Sequence, residues 1–398
     1  MPRSKSLSFW LLASIAVSFL AGSAAPSPLY GVYQLAWGFT PITTTVVFGS
    51  YAIAVLAALL TVGSLSDYVG RKPVLLIATL VQAFTMILFA TADGVHALIT
   101  ARVVQGLATG SAVGAVGAGM LDIDRERGTF ANAVSPLTGT ALGGILAGLV
   151  AEYLPSPTHL VYFMLCAIFL AQAAAVLAMP ETSTAKPGAL ASLKPHFLVP
   201  PAVRPAMWFA IPVLIASWAL AGFYASLGPT LARRLAGSDS LLLGGTVILV
   251  IAGSGALAVS LMHTRSAREI MALGAASLAV GVTTTLVAIP AGSVPIFFTG
   301  AAIAGVGFGT GLQGAIRSVV PLAAAHERAG VLSTVYVVAY LAMGVPAVFG
   351  GAEVVYGGGL LTTARDYGLG VIALAVFALA GTLWKRPVLA VTSDAGSR

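Results

Sequence analysis

Charge is scarce in this chain. Only 8% of its 398 residues are Asp, Glu, Lys or Arg, while 58% are hydrophobic. A soluble domain carries roughly 25% charged residues because its surface must face water. The deficit excludes a water-soluble particle of this size and leaves lipid as the solvent. Cysteine is nearly absent as well. Cys166 stands alone in an apolar run, so there is neither an intrachain disulfide nor a cysteine-rich metal site. The five histidines (His96, His159, His196, His263, His326) are scattered one per loop or helix end and form no ligand cluster. No dense basic run with interleaved aromatics occurs. The net charge of +7 therefore reads as basic loops of a membrane protein rather than as a nucleic-acid footprint. A Gly-x-x-x-x-Gly-Lys-Ser/Thr nucleotide loop is missing, as is any soluble stretch long enough for a motor domain, which argues against a primary pump. The apolar runs carry no clustered nucleophile, metal ligands or paired acids of the kind a membrane-embedded enzyme needs. No cofactor is expected.

What is present is a series of apolar windows of about 20 residues, the length that matches a hydrocarbon core of roughly 30 Å. They are continuous, whereas a barrel shows alternating segments of about ten residues. Helical spans are expected near 8–31, 41–63, 73–91, 95–118, 129–153 and 158–179. They resume near 204–228, 241–262, 269–290, 293–320, 328–352 and 366–384. The interval between the two sets holds Pro180, Pro187, Pro195, Pro200 and Pro201 with Lys186 and Lys194. This divides the chain into residues 1–180, a linker 181–204, and residues 205–398. A cleavable signal peptide is an alternative reading of the first span, from Arg3 and Lys5 through the apolar run to Ala-Gly-Ser-Ala-Ala. It would leave eleven spans.

Lysine and arginine set the orientation. With both termini in the cytoplasm, Arg3, Lys5, Arg71, Lys72, Arg125, Arg127, Lys186, Lys194, Arg204, Arg265, Arg268, Arg317, Arg328, Lys385, Arg386 and Arg398 fall inside. Arg233, Arg234 and Arg365 fall outside, and sixteen against three decides the matter.

The two sets resemble each other. Thr100, Gly106 and Gly110 of the fourth span recur as Thr299, Gly305 and Gly309 of the tenth, at an offset of 199. Glu126-Arg127, Gly143 and Ala151-Glu152 recur as Glu327-Arg328, Gly344 and Ala352-Glu353, at an offset of 201. Matches in that order argue for duplicated six-helix halves, a transporter signature.

The loop after the second span reads Gly63-Ser-Leu-Ser-Asp67-Tyr-Val-Gly70-Arg71-Lys72. A charged turn stopping two helices is the plain reading. The spacing of Gly63, Asp67, Gly70, Arg71 and Lys72 resembles the hallmark loop between the second and third helices of the major facilitator superfamily. That resemblance implies an all-α integral membrane fold with twelve transmembrane helices in two pseudo-symmetric six-helix bundles, and no enzymatic activity. It implies a gating role for the five residues, with Asp67 facing the start of the eleventh span near Ala329-Gly330. Arg71 would pair with Asp122 or Asp124. The corresponding loop of the second half, around Arg265 and Arg268, lacks the pattern.

In the fourth span, Leu98-x-x-x-Arg102-x-x-Gln105-Gly106 also resembles the family, where this arginine is associated with proton coupling. A structural arginine bonded to backbone is the equal alternative. The fifth span has Gly139-Thr140-Ala-Leu-Gly143-Gly144 where the family's proton-driven drug exporters carry Gly-Pro-x-x-Gly-Gly, so the antiporter pattern is incomplete. No acid lies deep in any span. By family geometry, spans 1, 4, 7 and 10 line a central cavity, with Gln105, Trp218 and Gln313 as contacts. Tyr336 and Tyr340 of span 11, four apart and on one face, join them. Interfacial anchoring is the alternative for the aromatics.

The expectation is a single-chain secondary transporter of apolar or amphipathic organic solutes. It sits in the lipid bilayer of a bacterial inner membrane and works by alternating access, as proton-coupled efflux. Metabolite or sugar uptake, facilitated diffusion, and a receptor or scaffold role without transport are the alternatives.

Overall fold

At 1.5 Å per residue, about 20 helical residues cross about 30 Å of hydrocarbon, and this chain makes twelve such helices. The computed structural model describes residues 3–195 and 197–384. Spans 1 to 12 run Lys5–Trp37, Pro41–Thr61, Arg71–Ala90, Val95–Ile123, Arg125–Tyr153, Pro157–Ala178, Arg204–Ser226, Leu241–Leu261, Ala267–Ala291, Val294–Leu322, Arg328–Tyr356 and Leu360–Leu383. No strand occurs among the described residues. Lys385, Arg386, Arg398 and His196, together with the end of the 205–398 segment, lie outside the described residues.

All twelve spans stand where the apolar windows place them, and the differences are at the ends. Span 1 runs six residues beyond the expected 31 and consists of two helices, Arg3–Ala24 and Pro26–Trp37. Pro26 lacks an amide hydrogen, which breaks the ladder; apolar sequence then lets the helix resume. Span 7 repeats this arrangement. Arg204–Ser226 is followed by Gly228–Ala236, with Pro229 at the break. Pro28 and Pro229 are related by the same offset of 201 that relates the loops. Both continuations end on a left-handed glycine, Gly38 (φ 64°) and Gly237 (φ 56°), where a side chain would be strained. Span 12 starts at Leu360 rather than 366, because Arg365 and Asp366 pair with each other at 2.9 Å on the helix surface and do not end the helix.

Helix packing repeats between the halves. Span 1 packs on 5, 2 on 4, 3 on 4 and 6, and 1 on 4; correspondingly 7 packs on 11, 8 on 10, 9 on 10 and 12, and 7 on 10. The main contacts across the halves, 5 with 8 and 2 with 11, exchange under the same operation. Lipid offers no hydrophobic force between helices, so close packing of small residues must hold them. Gly106 and Gly110 bring span 4 onto the backbone of span 2, and Gly305 and Gly309 bring span 10 onto span 8. The repeated glycines therefore do the same work twice. A Cβ at Gly106 would lie 2.6 Å from the Ala54 methyl and 2.7 Å from the Tyr51 carbonyl. Gly106→Ala should cost about 1–3 kcal/mol by overpacking, read as a lowered unfolding midpoint in detergent. Gly370→Ala, whose methyl would meet nothing within 4 Å, should leave that midpoint within error.

The two ends of the molecule differ. The near face carries the 62–70 loop and the linker; the far face carries the turns at 38–40, 154–156 and 237–240. Near the far face the halves are in tight contact. Gly49 of span 2 lies against Val348 of span 11, and Gly144 and Gly148 of span 5 against Ile248 and Gly245 of span 8. There too Arg233, on the continuation of span 7, covers Gly31 on the continuation of span 1. Glu152, at the end of span 5, accepts hydrogen bonds from the Leu241 and Leu242 amides of span 8 at 2.8 and 3.4 Å. At the near face the span 5–span 8 pair meets through the Phe130 ring, edge-on to His263 at 5.5 Å between centroids.

Candidate functional site

The near-face loop folds into one short helical turn, Ser66–Val69, before span 3. Gly70 follows at φ 99°, and a Cβ there would also sit 2.6 Å from the Glu181 carboxylate. Conformation and space both demand glycine. Arg71 is buried at 7% exposure. Its guanidinium donates to Ser66 Oγ at 2.8 Å and to Asp122 Oδ2 at 3.2 Å, and it pairs with Asp67. Of the two expected acids, then, Asp122 meets Arg71. Asp124 caps span 5 instead, accepting from the Arg127 amide at 3.0 Å. Lys72 donates through Nζ to the Leu177 carbonyl at 2.6 Å. Gly63 offers its carbonyl surface to Gly114 of span 4.

Asp67 is half-exposed and pairs with Arg71, and the linker lies over the start of span 11. Gly330, at the start of that span, is covered by Leu198 of the linker, whose amide donates to the Gly330 carbonyl at 3.4 Å.

One residue of this site was not foreseen. Glu181, just after span 6, accepts from the Arg71 amide at 2.8 Å and the Lys72 amide at 3.0 Å. It thereby caps the first turn of span 3, where backbone N–H groups lack helical partners. Burial pushes its carboxyl up, but the four backbone N–H donors of Ser183, Arg71, Lys72 and Thr182 outweigh that, leaving it below the ordinary carboxylate value. A lowered folded value stabilises above the unfolded value and loses that stabilisation as pH falls through the folded one. A spin label at Thr184→Cys should therefore stay equally ordered from neutral pH down to the ordinary carboxylate range and loosen only below it. In Glu181→Gln the label should be loose at every pH.

Arg102 is fully buried in the first half. Its guanidinium donates to Tyr30 Oη, to the Ser23 carbonyl at 2.9 Å and to Gln105 Oε1 at 2.7 Å. The rings of Tyr30, Tyr51 and Phe89 surround it at 5.3–5.7 Å. Gln105 in turn donates to the Gly22 carbonyl at 3.0 Å. That carbonyl needs an outside donor because the residue four positions on is Pro26, which has no N–H. Arg102 and Gln105 thus satisfy the polar groups released at the break in span 1. Gln105 points into this network, within the bundle. Tyr33 donates to Tyr162 Oη at 3.1 Å, and Tyr224 is bonded to Thr285 at 3.1 Å, so these tyrosines are also engaged inside their bundles.

Between the halves lies an aromatic junction. Trp218 of span 7 meets Tyr340 of span 11 edge-to-face at 4.9 Å, and Tyr336 lies 6.4 Å from Tyr340. Trp218 and Tyr340 share one buried cluster with Tyr51 and other residues of the first half. The Trp218 indole N–H is buried without a partner. The structure thus brings Trp218, Tyr336 and Tyr340 together, leaves Gln105 with Arg102, and places Gln313 partly buried on span 10. Among the described residues no group of three His, Cys, Asp or Glu could hold a metal ion.

Known proteins agree with this architecture. The chain is 29% identical over 160 residues to the MFS-type transporter mpsC of Macrophomina phaseolina (strain MS6). That stretch is 38% of this chain and 31% of the curated relative, so the chain matches about a third of that protein's length. The fold superposes on a nucleoside transporter NupG variant with a TM-score of 0.71 at 15% identity, covering 94% of this chain and 99% of that one. A peptide transporter POT variant gives 0.71 at 15% identity, covering 95% and 94%. The family model of the Major Facilitator Superfamily matches residues 11–348, and the chain, a multi-pass membrane transporter and not an enzyme, belongs to that family.

Proposed function

We propose that this chain is a secondary active transporter that exports small apolar or amphipathic organic solutes by alternating access, driven by protons, as a monomer in a bacterial inner membrane. The observation that carries this reading is the aromatic junction of Trp218, Tyr336 and Tyr340 at the meeting of two bundles whose tight contacts gather at one face. Aromatic faces with few charges suit such solutes. The moving bodies are residues 1–180 and 205–398, joined by the 181–204 linker. Both termini lie in the cytoplasm, by the excess of lysine and arginine at the near face.

Gly63, Asp67, Gly70, Arg71 and Lys72 form the cytoplasmic gate. Arg102 is the coupling residue, held by Gln105, and Trp218, Gln313, Tyr336 and Tyr340 serve the solute pathway. Efflux is supported by the Gly139, Gly143 and Gly144 row, which seats span 5 on span 1 and on span 8. A specific observation favours uptake or facilitated diffusion as the second reading: no carboxylate sits deep in a span, and proton coupling ordinarily uses one. Everted vesicles given a panel of amphipathic solutes, with and without an imposed proton gradient, separate the two. Gradient-dependent accumulation inside the vesicles is the expected result. Equilibration indifferent to the gradient would leave facilitated diffusion, and gradient-driven depletion would mean uptake.

A further inference from the structure

We infer that the solutes this chain moves are organic anions, amphipaths carrying a carboxylate or a similar planar acid group, and that Arg233 selects them at the far mouth of the pathway. This rests on the exporter reading and adds to it the charge of the solute.

The position of Arg233 follows from the repeat. The continuations of spans 1 and 7, Pro26–Trp37 and Gly228–Ala236, exchange under the operation that relates the halves, and they touch each other. Elements related by a two-fold operation meet only about its axis, and between two bundles that axis is the line a solute must follow. Gly244 of span 8 lies against both Pro28 and Pro229 there. Arg233 therefore stands on the axis at the far face, with its guanidinium laid over Gly31 of the other half. A Cβ at Gly31 would fall on Nη2 and lie 3.0 Å from Cζ. Glycine is what gives the guanidinium its seat.

What Arg233 lacks is an acid. It is partly buried, and its Nε is buried without a hydrogen-bond partner. Asp239 attracts it through space but forms no ion pair with it among the described residues. Glu152 and Asp366, also near the far face, are engaged elsewhere, by the Leu241 and Leu242 amides and by Arg365. The duplication does not supply this cation either, because the residue 201 positions earlier is Val32. It also runs against the bias that gathers lysine and arginine at the near face. A partly desolvated guanidinium with an unused donor matches the two oxygens of a carboxylate, which it can take in parallel hydrogen bonds.

The rest of the pathway agrees. The Trp218 indole N–H at the aromatic junction is buried without a partner, and it can only donate, so it too calls for an acceptor. No acid stands among Trp218, Gln313, Tyr336 and Tyr340 to repel an anion or to hold a cation. The lack of a deep carboxylate then has a physical reason. An anion leaving a negative interior is driven by the membrane potential itself, which reduces what coupled protons must supply.

Three probes of one shape separate the charges: naphthylacetate, its neutral amide naphthylacetamide, and the cation naphthylethylamine. Each is titrated calorimetrically into the purified full chain in detergent at neutral pH. The anion should bind about tenfold more tightly than the amide, as a charge-assisted pair requires, and the amine more weakly still. Arg233→Gln should weaken the anion about tenfold and leave the amide unchanged. Arg233→Lys, which keeps the charge without the fork, should fall between. Gly31→Ala, which displaces the guanidinium without removing it, should also weaken the anion alone, and Arg234→Gln, at the exposed neighbour, should change nothing. Equal affinity for the three probes would overturn the anion site. So would unchanged anion affinity in both Arg233→Gln and Gly31→Ala with the unfolding midpoint retained. A midpoint in nanodiscs that rises with anionic lipid in the wild type but not in Arg233→Gln, while the probes bind both alike, would give the guanidinium to a lipid headgroup and overturn it too. Everted vesicles keep this inference apart from the exporter reading. Gradient-driven accumulation of the amine with the anion excluded would sustain export and overturn the anion site, whereas an anion that binds through Arg233 and never crosses would do the reverse.

Discussion

Arg102→Ala should give a protein that inserts poorly, unfolds early and carries no measurable flux. The guanidinium serves Tyr30, Ser23 and Gln105 together, and of these Tyr30 and Gln105 are buried and Ser23 is partly buried. Each buried polar group left without a partner costs about 1–3 kcal/mol, and the removed side chain leaves a void among Tyr30, Tyr51 and Phe89. The sum, about 3–5 kcal/mol or more, is a large fraction of what holds a helical membrane protein together. Gln105 would lose its anchor as well, and with it the cover for the Gly22 carbonyl. Arg102→Lys is the informative companion. An ammonium keeps the charge but not the planar fork, so it restores insertion and most of the unfolding midpoint. If Arg102 couples protons, the lysine variant should bind solute normally and lose its response to the gradient. A lysine variant that folds and still follows the gradient would reduce Arg102 to a structural residue.

Asp67→Asn should separate stability from turnover. In the conformation described Asp67 is half-exposed and pairs with Arg71, an interaction worth at most about 1 kcal/mol at a surface. Arg71 keeps Asp122 and Ser66, and Glu181 still caps span 3. Insertion and unfolding midpoint should therefore match the wild type to within that amount. If Asp67 closes the near face at a helix start, turnover should fall about two- to fivefold, the loss of about 0.3–1 kcal/mol that a carboxylate supplies there and asparagine does not. Normal turnover in the asparagine variant would remove Asp67 from the gate. Loss of midpoint in parallel with flux would make the loop a structural turn.

These residues were visible in the sequence to different degrees, for physical reasons. The spans were legible because a bilayer demands length and apolarity along one stretch of chain, and both are local properties. The loop from Gly63 to Lys72 was legible because its parts are consecutive. Arg102 was conspicuous as a cation in an apolar run, but its purpose was not. That lay in the Gly22 carbonyl released by Pro26, 83 residues before the Gln105 side chain that covers it. Glu181 was passed over as the first residue of a polar linker, and Glu152 as an acid near a span end. Each acts by meeting backbone amides about a hundred residues away, and backbone amides leave no mark in a sequence. The break in span 7 had a signal, Pro229 at the repeat offset from Pro28, which only the two folded continuations made legible. Which face is closed has no sequence signature, because one sequence must encode both states with nearly equal free energy.

Locking the far face tests the central claim most directly. Cysteines at Glu152 and Ser240, joined by a short thiol-reactive cross-linker, would tie span 5 to span 8 where they now touch, while the native Cys166 is buried. If the solute crosses only when the halves part at that face, the joined protein should bind solute from the near face yet show no flux, and reducing the link should restore it. Undiminished flux through the cross-linked protein would contradict alternating access by these two bundles.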